Sequence, residues 1–141
     1  MPGRGYGNIV AMTHHRHVVS ALGAPDAVGA YSHAVRAGGL LFCSGQIPLD
    51  PETGELAAET PGDQARRCLE NLAIVAAAGG AQLADAVRIT LYLTDIDAFR
   101  EVDDVYATYF ESEPPARVAI GVAALPRGAK VEIDAVVALP D

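Results

Sequence analysis

The segment from Arg117 to Ala138 constrains the fold of this chain more than any other stretch. Branched residues recur at every second position on both sides of a turn at Leu125–Gly128: Val118, Ile120 and Val122 before it, and Val131, Ile133 and Val137 after it. Successive side chains of a strand point to opposite faces, and a four-residue turn aligns the two branched sets on one face. The pattern therefore predicts an antiparallel β-hairpin with one dry face.

The opposite face of this predicted hairpin carries charge above small residues. Arg117, Glu132 and Asp134 would lie there, over Ala119 and Gly121. An arginine and two carboxylates above residues without bulk are more typical of a pocket or a subunit interface than of a solvated surface. This face is the first candidate for a functional site.

Size and composition indicate one globular domain. The chain has 141 residues, of which 50% are hydrophobic, and a net charge of −8. That length suffices for a single core. No apolar run approaches the roughly 20 residues of a membrane span, and the first residues have no signal-peptide core. The two cysteines lack metal-type spacing and fit a reducing compartment. We therefore expect a cytoplasmic protein without a membrane or nucleic-acid partner, since its acidity disfavours polyanions.

The N-terminal end shows no periodic pattern. Residues 1–13 are predicted to form a loose arm, and residues 14–141 a single domain. The histidine-rich run at 14–17 has no matching cluster downstream, so a solvated or strand-edge run is favoured over a metal site. A first strand is predicted from His17 to Ala21.

The remaining elements follow from periodicity and turn residues. Gly38 and Gly39 predict a tight hairpin turn between strands within 34–45. Thr60, Pro61 and Asp63 form a helix start, and Gly79–Gly80 ends that helix. A strand is predicted over 86–94, with inward side chains at Val87, Ile89, Leu91 and Leu93. A second helix is capped by Asp95 or Asp97 and ends before Pro114. Its buried residues are predicted to be Phe99, Val102, Tyr106 and Phe110.

The predicted order is β-β-β-α-β-α-β-β, an α+β fold with one sheet and two helices on one face. Small and apolar residues on the other face favour another copy of the chain as its cover. The sequence lacks a phosphate-binding glycine loop, HExxH, CxxC and GxSxG. Hence we expect neither a metal nor an organic cofactor. Cys43 is interpreted as a small core residue; His33 could approach it.

Five segments carry a resemblance to a known family. They are Ala30–Val35, Ser44–Pro48, Val102–Phe110, Pro115–Arg117 and Ala124–Ile133. Together they resemble the reactive intermediate deaminase (Rid) family, also called the YjgF or endoribonuclease L-PSP family, from about His17 to Leu139. The resemblance implies a chorismate-mutase-like fold and a homotrimer with sites in the clefts between subunits. It also implies hydrolysis of enamine or imine acids, such as 2-aminoacrylate, to 2-oxo acids and ammonia.

The resemblance also implies roles for individual residues. Arg117 would hold the substrate carboxylate, with a salt bridge across the subunit interface as the alternative. Glu132 would hold the attacking water; the alternative is a solvated strand glutamate. Tyr31 would reach the cleft from the neighbouring chain, unless it is an ordinary turn residue. Ser44 and Gly45 would line the site, or else form only a tight strand end.

Two residues depart from the family pattern. Ala119 stands where many deaminase members have cysteine, so a thiol nucleophile is excluded at that position and the pocket is wider. Asp103 stands where many have asparagine. A carboxylate there can repel an acidic substrate, or it can bind Arg117 and neutralise it. Both changes bear on which substrate the chain accepts.

Three functions remain open at this stage. The first is imine deamination, which the combination of Arg117 with Glu132 favours. The second is a non-catalytic trimer that binds or senses small acids such as 2-oxo acids, or a relative adapted to another hydrolysis in a degradation pathway. The third is the RNA cleavage that one family label suggests, which the acidic charge disfavours.

Overall fold

The computed structural model describes residues 16–141, so the predicted arm and the first two histidines of the 14–17 run lie outside it. Six strands and two α-helices follow one another in the predicted order. They are β1 (His17–Val19), β2 (Ala34–Ala37), β3 (Leu40–Gln46), α1 (Pro61–Ala78), β4 (Ala86–Leu93), α2 (Phe99–Ala107), β5 (Ala116–Gly121) and β6 (Val131–Ala138). Short 3₁₀ turns span Leu83–Asp85, Ile96–Ala98 and Pro126–Gly128.

Local turn and cap residues act as predicted in the first half of the chain. Gly38 and Gly39 have φ values of 59° and 79°, and β2 and β3 pair as an antiparallel hairpin around them. Two successive positive φ values suit the right-handed twist of such a hairpin. At the start of α1 the Thr60 hydroxyl accepts a hydrogen bond from the Asp63 backbone N–H, and Pro61 occupies the first turn. The helix ends at Gly79.

The six strands form one sheet in the order β1-β2-β3-β6-β4-β5. β6 is therefore a central strand, antiparallel to both β3 and β4, while β5 lies at the edge and runs parallel to β4. The predicted hairpin between β5 and β6 is wrong, because β4 separates the two strands. Helix α2 joins β4 to β5, and a helical crossover is how consecutive parallel neighbours are connected.

The core lies between the sheet and the helices. Every second residue of β6 is buried, namely Val131, Ile133, Ala135 and Val137, as the alternation predicts. The inward stripe of α1 meets them with Ala65, Cys68, Leu69, Leu72, Val75 and Ala76. Val102, Tyr106 and Phe110 are also buried, and Phe99 packs against the core. A mixed sheet with two helices on one face is the observed architecture.

Three details differ from the sequence interpretation. β1 ends at Val19 instead of Ala21. Val87 is 44% exposed because a register shift between Ala86 and Arg88 turns it away from the core. Val118 and Ile120 are 40% and 46% exposed instead of buried, because β5 is the outermost strand and these side chains point away from the helices.

The face of the sheet opposite the helices, here called the open face, carries exposed apolar side chains. Val18, Phe42, Val118 and Ile120 all lie there at 40% exposure or more. Exposed apolar side chains of this kind, at both ends of the face with charged and polar residues of β6 and β4 between them, are typical of a contact with another protein surface. The homotrimer stays a prediction that this face favours. Within residues 16–141, no helix has the length and apolar character needed to cross a membrane.

Candidate active site

A cavity of about 550 Å³ opens beside the bulged end of β3. Four of the residues that the sequence singled out line it: Tyr31, Ser44, Gly45 and Glu132. The remaining lining residues are Pro25, Asp26, Val28, Gln46, Ile47, Leu49, Pro126 and Arg127. Most of this surface is apolar, with a few polar groups, which is the usual composition of a small-molecule site.

Glu132 is the central ionisable group of this cavity. It lies on β6, and its side chain is directed to the open face because its neighbours Val131 and Ile133 point into the core. Partial burial raises the pKa of the Glu132 carboxyl above its usual value, and the nearby charge of Asp134 adds to the rise. A carboxyl group with a raised pKa can accept and return a proton closer to neutral pH.

Gly45 makes room for the Glu132 carboxylate. A Cβ atom placed on Gly45 would overlap Oε2 of Glu132, so no other residue fits there without moving that carboxylate. The pairing of β3 with β6 is irregular between Cys43 and Gln46, which takes Ser44 and Gly45 out of the regular ladder. Such bulges commonly redirect a strand next to a functional site.

Tyr31 and Ser44 lie on this cavity in the same chain as Glu132. Tyr31 is half exposed, and its hydroxyl oxygen accepts a hydrogen bond from the Val28 backbone N–H at 3.3 Å. The Ser44 hydroxyl donates to the Ser32 carbonyl at 2.6 Å. Tyr31 lines the same cavity as Glu132 of its own chain, whereas the resemblance implied a tyrosine from the neighbouring chain. Ser44 uses its proton to anchor the loop, so only its oxygen lone pairs face other partners.

His33 is a structural contributor that the sequence interpretation did not identify. Its buried ring accepts a hydrogen bond at Nδ1 from the Ala21 backbone N–H (3.0 Å) and donates from Nε2 to the Pro25 carbonyl (2.7 Å). These bonds require the neutral ring with its proton on Nε2. They hold the loop that supplies Pro25 and Tyr31 to the cavity. The dipeptide Ser32-His33 before a strand carried no sequence signal for this role.

The cysteines have no nucleophilic role. Cys43 is 7% exposed, and burial, with a smaller contribution from the Asp134 charge, raises the pKa of its thiol to about 12. Cys68 is fully buried in α1, and burial likewise raises its pKa. Thiols of this kind stay protonated and inert, because the thiolate is the reactive form. Both cysteines are core residues, as was predicted for Cys43.

Arg117 lies in a different place, beside α2. Its Nη1 donates to Oδ1 of Asp103 at 2.6 Å. Its guanidinium also lies 5.0 Å from the ring centre of Phe99 and 4.8 Å from that of Tyr106. The two rings and the carboxylate hold the guanidinium in one orientation. A second cavity, of about 410 Å³, is lined by Arg117, Asp103 and Tyr106 together with Ala107, Phe110, Pro114 and Pro115.

Within one chain, Arg117 and Glu132 lie on opposite faces of the sheet. Arg117 pairs across the ladder with the buried Ile89, so it points to the helix side. Glu132 pairs with Tyr92, which lies an odd number of positions from Ile89 on β4 and so faces the other way. Glu132 therefore points to the open face. Ala119 is next to Leu91 and therefore shares the helix side with Arg117. The prediction that Arg117, Glu132 and Asp134 share a face above Ala119 and Gly121 is wrong, because β5 is not the partner of β6.

Two more residues belong to these cavities without having been predicted. Arg127 lines the Glu132 cavity from the Pro126–Gly128 turn. Tyr106 is 4% exposed, and its hydroxyl has no hydrogen-bond partner within residues 16–141. The spacing of Tyr106 indicated a core position only. Across the same residues, no three or more His, Cys, Asp or Glu side chains form a group that could hold a metal ion.

Comparison with known proteins identifies the family to which this chain belongs. Residues 21–139 match the family model described as endoribonuclease L-PSP. "RutC family protein y4sK" of Sinorhizobium fredii is 47% identical over 121 residues, which cover 86% of this chain and 96% of that protein. The human protein named 2-iminobutanoate/2-iminopropanoate deaminase is 40% identical over 121 residues, covering 86% of this chain and 88% of that protein.

A solved structure agrees with these sequence relatives. The crystal structure of a putative endoribonuclease from Thermotoga maritima superposes with a TM-score of 0.84 at 44% identity, covering 89% of this chain and 98% of that one. The fold is thus that of small α+β proteins with one mixed sheet backed by two helices. Within that class, the chain belongs to the endoribonuclease L-PSP family, also called the YjgF or Rid family.

Proposed function

We propose that this protein hydrolyses reactive enamine or imine acids, such as 2-aminoacrylate after its tautomerisation, to 2-oxo acids and ammonia. One observation carries the proposal: a half-buried carboxyl with a raised pKa, Glu132, lies against Gly45 in a largely apolar cavity of small-molecule size. The deaminase names of the human, rat and mouse relatives, at 40–41% identity, support this reaction class.

Glu132 orients the water and moves a proton. Glu132 takes one proton from the water as the water oxygen adds to C2 of the imine, and passes that proton to the nitrogen, giving a carbinolamine. Glu132 then moves the hydroxyl proton of this intermediate to the nitrogen. The C2=O bond forms, the C2–N bond breaks, ammonia leaves with the bonding electron pair, and the 2-oxo acid remains. A positioned carboxyl group of raised pKa suits both proton transfers. Ala119 and the protonated Cys43 offer no nucleophile, so water attacks directly.

Arg117 holds the substrate carboxylate from a neighbouring copy of the chain. In one chain it points to the helix side, so it can approach a Glu132 cavity only if that cavity belongs to another copy. All residues of β5 are exposed, and the open face carries exposed apolar side chains on β1, β3 and β5. A closed ring of copies, as in a cyclic trimer, would cover both surfaces. Substrate binding then competes with Asp103 for the guanidinium.

The test combines a chemical and a binding measurement. Single-turnover hydrolysis of freshly generated 2-aminoacrylate and 2-iminobutanoate is compared for wild type, Glu132→Gln and Arg117→Ala. Calorimetry with 2-oxobutanoate gives the binding of each protein. We expect Glu132→Gln to bind the acid but hydrolyse slowly, and Arg117→Ala to lose both. Equal hydrolysis by Glu132→Gln and wild type would leave Glu132 as a mere strand residue and refute the proposal.

The second candidate function is a trimer that binds or senses small acids without catalysis, or one adapted to another hydrolysis. The Arg117–Asp103 ion pair favours another hydrolysis, because a neutralised guanidinium attracts an acidic substrate less. A wild type that binds 2-oxobutanoate but never hydrolyses an imine would instead establish the acid-binding trimer. RNA cleavage, which the family's name suggests, remains disfavoured by the net charge of −8. A cytoplasmic location also remains our prediction.

A further inference from the structure

We infer that Arg127 is a specificity-determining residue that binds a second acidic group at the far end of the substrate. The preferred substrates would then be 2-imino dicarboxylic acids. This inference rests on the function proposed above, because it assigns Arg117 of a neighbouring copy to the 2-carboxylate and Glu132 to the water.

The charged residues that line the Glu132 cavity leave one place where an anion is attracted. Among the residues described as lining the cavity, Arg127 is the single cation, whereas Asp26 and Glu132 are acidic. A second carboxylate is repelled by the two acidic groups and attracted by the guanidinium. It therefore has one favourable position, against Arg127, and the planar guanidinium can bind both of its oxygens.

The backbone at Arg127 points to a role for its side chain. Arg127 has φ +63°, between Pro126 and Gly128, in a region that residues with a Cβ atom rarely occupy. Glycine would adopt this conformation with less strain, and such strained residues cluster at ligand sites. A long cationic side chain at a position that suits glycine is explained if the side chain binds a ligand.

The turn is firmly held, while the guanidinium itself is held loosely. Just after the turn, the Lys130 backbone N–H donates to Oε1 of Gln64 at 2.8 Å. By contrast, Nη2 of Arg127 meets Oε2 of Glu55 at 3.4 Å, and the two side chains are 50% and 75% exposed. Exposed pairs of this kind contribute little, so a substrate carboxylate can replace Glu55. The backbone of the turn is thus fixed, whereas the Glu55 partner of the Arg127 guanidinium can be replaced.

The experiment compares two imines that differ in the far carboxylate. An amino-acid oxidase generates 2-iminopentanedioate from glutamate and 2-iminobutanoate from 2-aminobutanoate, and kcat/KM is measured for each. We expect wild type to prefer the dicarboxylate. Arg127→Asn, which tolerates the left-handed conformation, should lower the ratio of the two kcat/KM values by about 10- to 100-fold, because a charge-assisted contact is lost. Glu55→Gln should raise the ratio about two- to fivefold by freeing Arg127.

The controls separate failure of this inference from failure of the proposed function. Arg36→Gln removes an exposed arginine of β2 that is not among the cavity residues, so the ratio should not change. Arg127→Gly removes the side chain without strain, so it takes the place of Arg127→Asn in the comparison if the asparagine variant folds poorly. An unchanged ratio in the Arg127 variants, with both imines hydrolysed, overturns the inference and leaves the function intact.

Binding keeps the inference testable if neither imine is hydrolysed and the proposed function fails. Calorimetry then compares 2-oxopentanedioate with 2-oxobutanoate. Tighter binding of the dicarboxylate that disappears in Arg127→Asn supports a site for a second acidic group. Equal binding of both acids by wild type overturns it.

Discussion

The two faces of the sheet hold the two charged groups of the candidate site in opposite electrostatic situations. On the open face, Glu132 is partly buried and lies near a like charge, Asp134, and both raise the pKa of its carboxyl. On the helix side, Arg117 lies against the opposite charge of Asp103 and between two aromatic rings. The surroundings disfavour the charged form of the Glu132 carboxyl, whereas they stabilise the charged guanidinium of Arg117.

Under the proposed function, this difference divides the site into two halves within one chain. The Glu132 half has a cavity and a proton-transfer group, but the family's arginine is missing from its face. The Arg117 half has the anion-binding group, already engaged by Asp103. A site that uses both groups must join unlike faces of two copies, which is a heterologous contact, and such contacts form a ring when the rotation between copies closes.

The largest expected effect tests whether the halves come from different copies. Arg117→Ala and Glu132→Gln should each be nearly inactive, with turnover lowered about 10²–10⁴-fold in the glutamine variant. Co-expressed in equal amounts, the two should recover about a quarter of wild-type activity, because in a random ring that fraction of interfaces pairs an intact arginine with an intact glutamate. Light scattering checks that the assembly is a trimer, about three times 14.6 kDa.

The matched control for this mixture is the double variant Arg117→Ala/Glu132→Gln co-expressed with wild type. It should also give about a quarter of intact interfaces. No recovery from the two single variants, alongside recovery in this control, would mean that both groups act within one copy.

The next effect probes the Glu132 half alone. Gly45→Ala should displace the Glu132 carboxylate and lower turnover by about 10- to 100-fold, because a displaced acid–base group loses much of its contribution. Gly54→Ala, in a turn where a Cβ atom has open space, is the control for backbone strain at a glycine. Normal imine hydrolysis by Gly45→Ala would show that the close contact is irrelevant to catalysis.

A smaller effect probes the Arg117 half alone. Asp103→Asn leaves a hydrogen-bond acceptor but removes the competing charge, so 2-oxobutanoate should bind about two- to fivefold tighter, the scale of a partly exposed pair. Titration calorimetry measures this change. Arg117→Lys in the same background should bind weakly, because an ammonium lacks the planar fork. Weaker binding by Asp103→Asn would instead mark Asp103 as a positioning residue for Arg117.

The smallest effect is on stability and has opposite signs for the two halves. Because the folded-state pKa of Glu132 is raised, its ionisation destabilises the fold as pH rises through that value. Glu132→Gln should therefore have a higher Tm than wild type at pH 8, and the difference should shrink toward pH 4. Arg117→Ala should lower Tm at both pH values, since it loses its ring contacts. Thermal unfolding at both pH values measures this, and a pH-independent Tm difference for Glu132→Gln would contradict the assignment.

Local features of the sequence determined much of the fold. Gly38 and Gly39 specify the first hairpin because two positive φ values suit few other residues. Thr60 and Pro61 specify where α1 begins through the geometry of a helix start. The alternation on β6 correctly separates core from surface, and the family motifs identified Tyr31, Ser44, Gly45 and Glu132, which share one cavity.

The tertiary structure alone decided which strands are neighbours. Alternation tells which residues of a strand share a face, but it does not tell which strands pair. The backbone of β6 could equally pair with β5, and only packing of the whole core places β6 between β3 and β4. Once β4 lies between β5 and β6, Arg117 and Glu132 point to opposite sides, although their sequence parity had suggested one face. Strand pairing is a non-local choice, so the residue types of the site were readable in the sequence, whereas their division between two faces was not.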